Sequence, residues 1–183
     1  MVVVPARQDP NKVAGSTLGA ILLNPPVTAG RSTHRHVRIA AEILNCNDVA
    51  IGNLFNVSTR SVEEINKVGT GWSHWIAARP TLLQVITSST TLLAGWGVSG
   101  LHGIAKKHLR QQISWLIEQV TASQHLTIWT INSQPRHPSR WHQYVSDKHG
   151  RTHEGSLHQR LTSVLVPVTP DMLRSKENPN NSI

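Results

Sequence analysis

The stretch AILLNPPVTAGRSTHRHVRIA, residues 20–40, decides the fold, because an apolar strand ends in a rigid turn and a helix follows. The segment Leu18–Leu23 contains no polar side chain, which is typical of a strand buried on both faces. The Asn-Pro-Pro turn at 24–26 ends that strand, since proline has no amide proton for the ladder. His34–Leu44 then places apolar residues at helical spacing. The stretch therefore predicts a β–α unit.

The rest of the chain continues this alternation of strands and helices. Such alternation predicts an α/β fold, a single-domain three-layer α/β/α architecture around a central, mostly parallel four-stranded sheet. We expect the domain to cover residues 1–174, with Leu161–Val168 as a candidate late strand, and a disordered tail to cover residues 175–183. The other predicted strands are Asp48–Asn53, Thr91–Ala94 and Leu126–Ile131. The other predicted helices start at Ser61, cover Trp72–Ser88 with an interruption near Pro80, or cover Gly100–Val120.

The charge of the chain points to an anionic partner. Lys and Arg outnumber Asp and Glu by 18 to 10, which gives a formal net charge of +8. Nucleic acid is the first candidate for that partner, and simple solubility is the alternative explanation. No apolar run is long enough to span a membrane, and the single cysteine, Cys46, excludes an internal disulfide framework. We expect a cytoplasmic protein, a monomer, with no membrane partner.

The sequence lacks the usual metal and nucleotide signatures. The histidine pairs His34/His36 and His149/His153 have no further ligand at zinc-type spacing. The glycines at 95–100 do not follow the first strand in a G-x-G-x-x-G pattern, and no P-loop motif is present. The sequence therefore predicts no metal and no cofactor.

Polar residues follow several of the predicted strands. The carboxyl ends of these strands carry Asn24, Asn53, the Gly-Trp-Gly segment at 95–97 and the loop Ser133–Tyr144. Because the carboxyl ends of parallel strands meet at one edge of a sheet, ligands bind there in such folds. The two most basic short stretches, Arg31–Arg38 and Arg136–His142, also follow strand ends. The pattern predicts that positive charge gathers around one cleft, as a DNA-binding site requires.

Four short motifs at these strand ends resemble those of the uracil-DNA glycosylase superfamily. They are LLNPP, GNLFNVSTR, LLAGWG and RHPSRW, they occur in the expected order, and they span roughly residues 18–145. The chain is most similar to the mismatch-specific, thymine-DNA glycosylase-like branch. It also looks like a bacterial and phage-associated family with LNPS, NLF, AWG and RHP motifs. The resemblance implies a uracil-DNA glycosylase-like fold and a cofactor-free enzyme that flips a base out of DNA.

The resemblance implies two catalytic residues, Asn24 and His137. Asn24 matches a position that holds Asp in the uracil-specific branch and Asn in the mismatch-specific branch. An amide cannot act as a general base, but it can orient a water by one donated and one accepted hydrogen bond. His137 would stabilise the negative charge that develops on the pyrimidine O2. The alternatives are a turn-forming Asn24 and a simply solvated His137.

The resemblance also implies a base-binding set: Pro25, Pro26, Asn53 and Phe55. Pro26 matches a tyrosine that presses on C5 of the pyrimidine, and its smaller size predicts a pocket open to a C5 substituent. Candidates for the base are thymine, hydroxymethylated cytosine and a glycosylated phage base. Asn53 would read the edge of the flipped base, although it could also cap the turn after its strand. For Phe55, core packing is the alternative.

DNA contacts are predicted on the basic segments. Trp141 matches a leucine that wedges into the duplex, and an ordinary core position is its alternative. Charged residues on a helix are usually a solvated face, and we assign Lys106, Lys107 and Arg110 to such a face. The candidate phosphate contacts are Arg31, Arg35, Arg60, Arg136, Ser139 and Arg140.

Taken together, the residues and the resemblance predict a monofunctional DNA glycosylase that leaves an abasic site. No lysine lies in the four motifs, so no Schiff-base chemistry is expected. The biological role would be defence against phage DNA with modified cytosine, or base-excision repair. Two alternatives stay open: a non-cleaving DNA-binding module on the same scaffold, and a hydrolase of free nucleosides or nucleotides.

Overall fold

The computed structural model describes residues 15–27, 30–145 and 155–177, and a five-stranded sheet forms its centre. The strand order is β2-β1-β3-β4-β5, in which the first four strands are parallel and β5 runs antiparallel to β4. The five strands are β1 (Thr17–Leu22), β2 (Asp48–Asn53), β3 (Thr91–Gly95), β4 (Ile128–Ile131) and β5 (Leu165–Val168).

Helices connect the strands and cover the sheet. None of the helices within the described residues is long and apolar enough to cross a membrane. A short 3-10 turn, Pro138–Arg140, lies between β4 and the next helix. The helices are α1 (Arg31–Ile43), α2 (Val62–Val68), α3 (Trp72–Ile76), α4 (Arg79–Ser88), α5 (Gly103–Ala122), α6 (His142–Val145), α7 (Leu157–Val164) and α8 (Pro170–Glu177).

The predicted α/β class with a mostly parallel sheet is confirmed, but the predicted strand count is wrong. The sheet has five strands rather than four, since β5 adds an antiparallel edge. Leu161–Val168 divides between the end of α7 and all of β5. Pro167 is tolerated in β5 because an edge strand has one side that needs no ladder hydrogen bond.

One predicted helical segment is confirmed with its interruption, and one predicted disordered segment is partly helical. The segment Trp72–Ser88 forms two helices that divide just before Pro80, which lies in the first turn of α4, where its missing amide proton costs nothing. Helix α8 includes residues 175–177, the start of the predicted disordered tail. Residues 178–183 of that tail lie outside the described residues.

The strands carry apolar side chains on both faces, and each face has its own hydrophobic core. Because side chains alternate along a strand, Ala20 and Leu22 pack into one core and Ile21 and Leu23 into the other. Helices α1 and α7 contribute to the first core, through residues such as Val37. Helices α2–α5 and α8 contribute to the second core. The sheet therefore lies between two helical layers.

The strand order places a topological switch beside β1. The chain passes from β1 to β2 on one side and then returns to β3 on the other side of β1. The loops that leave the carboxyl ends of β1 and β3 consequently diverge and leave a crevice between them. Within the described residues, 23–27 and 30 belong to the first of these loops, and 96–102 form the second.

Candidate functional site

Asn24 follows β1 and is fixed by hydrogen bonds to the loop after β2. Its Nδ2 donates to the Thr59 Oγ1 at 3.1 Å, to the Thr59 carbonyl at 3.4 Å and to the Pro25 carbonyl at 3.0 Å. Two of these acceptors are carbonyl oxygens, which identifies the facing atom as the NH₂ group. The expected donation from Asn24 to a water is therefore not available. Its Oδ1 has no partner among the described residues and can accept a hydrogen bond.

Asn53 is the last residue of β2 and pairs in register with Leu22 of β1. Its Oδ1 is buried and has no hydrogen-bond partner among the described residues. A buried acceptor without a partner costs roughly 1–3 kcal/mol, so it is rare unless a ligand or water satisfies it. Asn53 therefore carries a buried acceptor that has no partner among the described residues.

His137 directly precedes the Pro138–Arg140 turn, and its ring has a defined tautomer. The Ser139 backbone N–H donates to the His137 Nδ1 at 3.3 Å, and the Ser139 Oγ lies 2.8 Å from the same nitrogen. Since Nδ1 accepts, the proton of the neutral ring must lie on Nε2. Burial and, second, the positive charge of Arg140 lower the pKa of His137 to about 4. At neutral pH the residue is therefore an uncharged donor.

Two buried aromatic residues, His36 and Trp141, form hydrogen bonds to the backbone of the loop that carries His137. The His36 Nδ1 lies 2.6 Å from the Pro138 carbonyl and donates to it, and the His36 ring stacks on Trp141 at 6.0 Å. The Trp141 indole N–H donates to the Arg136 carbonyl at 2.7 Å. Burial lowers the pKa of His36 in spite of its hydrogen bond.

The prediction that Trp141 wedges into DNA is wrong for this conformation. Trp141 is 0% exposed and belongs to the core between α1 and the sheet. Its indole fills the space beneath the loop and has a backbone partner, so nothing of it reaches the surface. The core alternative for this residue is the one that the structure supports.

Four predicted site residues line one cavity of about 360 Å³, which we call the asparagine cavity. Asn24, Asn53 and His137 come from the ends of β1 and β2 and from the loop after β4. The fourth is Pro26, whereas the predicted Pro25 does not line the cavity. The remaining lining residues are Leu22, Thr33, His34, Ile51 and Thr59.

Three of these lining residues were missed as site residues in the sequence. Thr59 lies within the GNLFNVSTR motif, so its position in that motif was a usable signal. Thr33 and His34 lie in the first turn of α1, and His34 was weighed only as a metal ligand. Their place at the rim follows from the way α1 packs, which the sequence pattern does not reveal.

Two further cavities adjoin the asparagine cavity. A middle cavity of about 190 Å³ shares Asn24, Thr59 and His137 with it. A larger cavity of about 550 Å³, which we call the cationic cavity, shares only His137 with the asparagine cavity. His137 is thus the residue common to all three cavities.

Phe55 does not line any of these cavities, which corrects its prediction as a base-binding residue. It is 0% exposed and packs against Trp75 at 4.8 Å and His74 at 5.9 Å between ring centroids. The chain turns after β2 so that Phe55 enters the core while Asn53 stays at the cavity. The packing of Phe55 in the core fixes the chain just after the end of β2.

The predicted DNA contacts lie on the surface around the cavities. Arg31 and Arg35 are exposed on α1, and Arg60 is exposed beside the middle cavity. Ser139 and Arg140 line the middle cavity, and Arg140 lines the cationic cavity as well. Arg136, which lines the cationic cavity, is half-buried.

No group of three or more metal-binding side chains comes together within the described part of the chain. Of the two histidine pairs considered in the sequence, His34 faces the asparagine cavity and His36 bonds to Pro138. His149 and His153 lie outside the described residues.

The fold and the cavities define an α/β protein whose ligand-sized cleft lies at the switch point of a mostly parallel sheet. The chain belongs to the family described as protein of unknown function DUF1643, whose model matches residues 9–139. The match includes β1–β4 and ends within the Pro138–Arg140 turn, so α6–α8 and β5 lie beyond it. No curated protein and no solved structure matches the chain.

Proposed function

We propose that this protein is a monofunctional DNA glycosylase that excises a C5-substituted pyrimidine and leaves an abasic site. The observation that carries the proposal is the position of Asn24, Asn53 and His137 around one cavity of about 360 Å³. The resemblance to the uracil-DNA glycosylase superfamily gives these residues water-holding, base-reading and leaving-group roles. A glycosylase-like fold, a DNA partner, a monomeric state and a cytoplasmic setting belong to this proposal.

Asn53 would read the flipped base. Its unpartnered Oδ1 would accept a hydrogen bond from an N–H of the pyrimidine, and its amide would donate to a carbonyl. This hydrogen bond would satisfy the Asn53 Oδ1, which is costly to leave without a partner. A base that has no N–H at that position would therefore bind less well. This is the source of base selectivity in the proposal.

His137 would stabilise the leaving base. As the C1′–N1 bond breaks, its electron pair departs with the pyrimidine, and negative charge develops on O2. A neutral imidazole with its proton on Nε2 can donate to that oxygen without first losing a proton. The departing base then takes a proton from solvent, so His137 needs only to donate a hydrogen bond.

Asn24 would hold the attacking water through its Oδ1. The water adds to C1′ and releases one proton to solvent, which completes the hydrolysis. Because both amide protons of Asn24 bond to Thr59 and Pro25, the Oδ1 is held in one direction. Asn24 orients the water rather than deprotonating it, so the rate would depend mainly on how well the leaving base is stabilised.

The rim of the asparagine cavity accommodates a substituent on C5. Pro26 and His34 line the cavity and are exposed, so this side opens to solvent. Thr33 and His34 offer polar groups to a hydroxymethyl or glycosyl substituent at that opening. A substrate of this kind occurs in modified phage DNA, which favours the defence role over repair.

A base-excision assay tests the proposal. Duplex and single-stranded oligonucleotides would carry uracil, a G·T mismatch, 5-hydroxymethylcytosine or its glucosylated form, and hot alkali would convert abasic sites to strand breaks. We expect breaks at one modified base with the wild-type protein and none with Asn24→Ala or His137→Ala. His102→Ala is the matched control, because this histidine is exposed and lines none of the three cavities.

A second candidate is a DNA-binding module that does not cleave. It is favoured by the absence of any Asp or Glu among the described residues that line the three cavities. Glu64 follows Arg60 of the middle cavity by four residues, and its carboxylate accepts a hydrogen bond from the Arg60 backbone N–H at 2.7 Å. If the protein binds the oligonucleotides tightly and they stay intact after incubation with excess protein, the result would contradict the glycosylase and support the non-cleaving module.

A further inference from the structure

The cationic cavity is the largest of the three cavities, and the proposed base excision does not use it. Its volume is about 550 Å³, compared with about 360 Å³ for the asparagine cavity. The β3–α5 loop, the loop after β4 and Leu173 of α8 enclose it. Because α8 lies beyond the region matched by the family model, part of this enclosure is added by the C-terminal segment.

The lining of this cavity is positively charged. Lys106, Arg136 and Arg140 contribute cationic side chains, and the described lining residues include no Asp or Glu. The Arg140 Nη1 donates to the Ser99 Oγ at 3.4 Å, which holds the guanidinium beside the β3–α5 loop. Cations gathered around a concavity focus a potential that attracts anions.

Gly97 holds the β3–α5 loop against the loop after β4 at the wall of this cavity. Its backbone N–H donates to the Pro135 carbonyl, and a Cβ at this position would collide with that oxygen. Both residues line the cationic cavity, so the close contact of the two loops defines one side of it.

Trp96 adds a buried polar group to the wall of the cationic cavity. It is 1% exposed, it lines the cavity, and its buried indole Nε1 has no hydrogen-bond partner among the described residues. Buried indole N–H groups usually find an acceptor, so this donor is a cost that the folded chain carries beside the cavity.

We propose that the cationic cavity binds a phosphate group of a nucleotide or of a nucleic-acid strand. Lys106 and Arg140 would pair with the phosphate oxygens, and Arg140 would do so from the position that Ser99 gives it. The inference does not depend on base excision, because a phosphate can occupy this cavity whether or not a glycosidic bond is broken beside it.

Calorimetric titration of the full chain tests the inference with three probes. The probes are inorganic phosphate, thymidine 5′-monophosphate and a short single-stranded oligothymidylate. Lys106→Gln is the test variant, since Lys106 lines only this cavity, and Lys107→Gln is the control, with the same charge change one residue further along α5. Both lysines are exposed, so both variants should fold.

We expect Lys106→Gln to raise the Kd of each phosphate probe about fivefold to tenfold, and Lys107→Gln to change it less than about twofold. Stronger binding of the monophosphate would identify a free nucleotide as the ligand. Stronger binding of the oligonucleotide, with a steeper salt dependence, would identify a strand phosphate.

The inference is overturned if the wild-type protein binds none of the three probes. It is also overturned if the two variants lose the same affinity, because the binding would then reflect net charge rather than this cavity. Failure of the excision assay with a positive titration would contradict the glycosylase and leave the phosphate site standing. Base excision together with a titration that shows no phosphate binding would support the glycosylase and contradict the phosphate site.

Discussion

At the scale of single residues, the protonation state of His137 governs both stability and the proposed chemistry. The pKa of His137 lies at about 4 in the folded chain, whereas the ordinary pKa of histidine is about 6.5. The unfolded chain therefore takes up a proton as pH falls below about 6.5, while the folded chain does so only near pH 4. The contribution of His137 to stability is fully present above pH 6.5 and is lost as pH falls towards 4.

We therefore predict that His137→Asn weakens the pH dependence of folding. Between pH 7 and pH 4.5 the free energy of unfolding should fall more in the wild-type protein than in the variant, by roughly 2 kcal/mol. Urea unfolding at both pH values measures the difference. His102→Asn, which replaces an exposed histidine, should follow the wild-type curve, and an identical pH response in His137→Asn would contradict the prediction.

Asn53 combines a cost in stability with a role in the proposed function. Its buried Oδ1 has no partner, so Asn53→Leu, which is similar in size, should raise the free energy of unfolding by about 1 kcal/mol. The same change should abolish base excision, because the edge of the base is no longer read. Thermal unfolding and the excision assay measure the two effects, and a clear loss of stability would show that the Oδ1 has a partner in solution.

At the scale of structural elements, the Pro138–Arg140 turn depends on what lies beneath it. His36 on α1 binds the Pro138 carbonyl, and Trp141 binds the Arg136 carbonyl and stacks on His36. These contacts fix the loop that presents His137. A substitution of His36 or Trp141 should therefore alter the shape of the cavities, although neither residue lines one of them.

Trp141→Phe tests this support. The change removes the indole N–H and leaves the Arg136 carbonyl without that donor, so we expect a loss of roughly 2–3 kcal/mol in the free energy of unfolding. Trp129→Phe is the control, because Trp129 is only half-buried and should lose less than about 1 kcal/mol. Urea unfolding gives both values, and equal losses would contradict a special role for Trp141.

At the scale of the whole molecule, positive charge surrounds the carboxyl edge of the sheet. The excess of 18 basic over 10 acidic side chains includes exposed arginines on α1 and around the middle cavity. Each phosphate contact with DNA releases counterions, so the logarithm of affinity falls with the logarithm of salt concentration by about 0.9 per contact.

The double variant Arg31→Gln/Arg35→Gln should reduce that salt slope by about 2 if both arginines contact phosphates. Fluorescence anisotropy with labelled DNA at several salt concentrations measures the slope. Lys107→Gln should leave it unchanged to within about 0.5. An unchanged slope in the double variant would place α1 outside the DNA-binding surface.

The sequence by itself determined the alternation of strands and helices and the polar residues that follow the strands. Apolar runs, the Asn-Pro-Pro turn and helical spacing are local signals, so the first four strands were predictable. The carboxyl ends of parallel strands must share an edge, and this rule alone brought Asn24, Asn53 and His137 together. The short antiparallel β5, which contains a proline, gave only a weak signal.

Which side chains face the cavities depends on the tertiary structure. Trp141 and Phe55 are buried, the exposed Lys106 lines the cationic cavity, and β5 adds a fifth strand. These outcomes depend on partners far along the chain, such as Asn24 with Thr59 and His36 with Pro138, which are 35 and 102 residues apart. Burial is a property of packed elements, and a local pattern cannot fix which distant residue completes the packing.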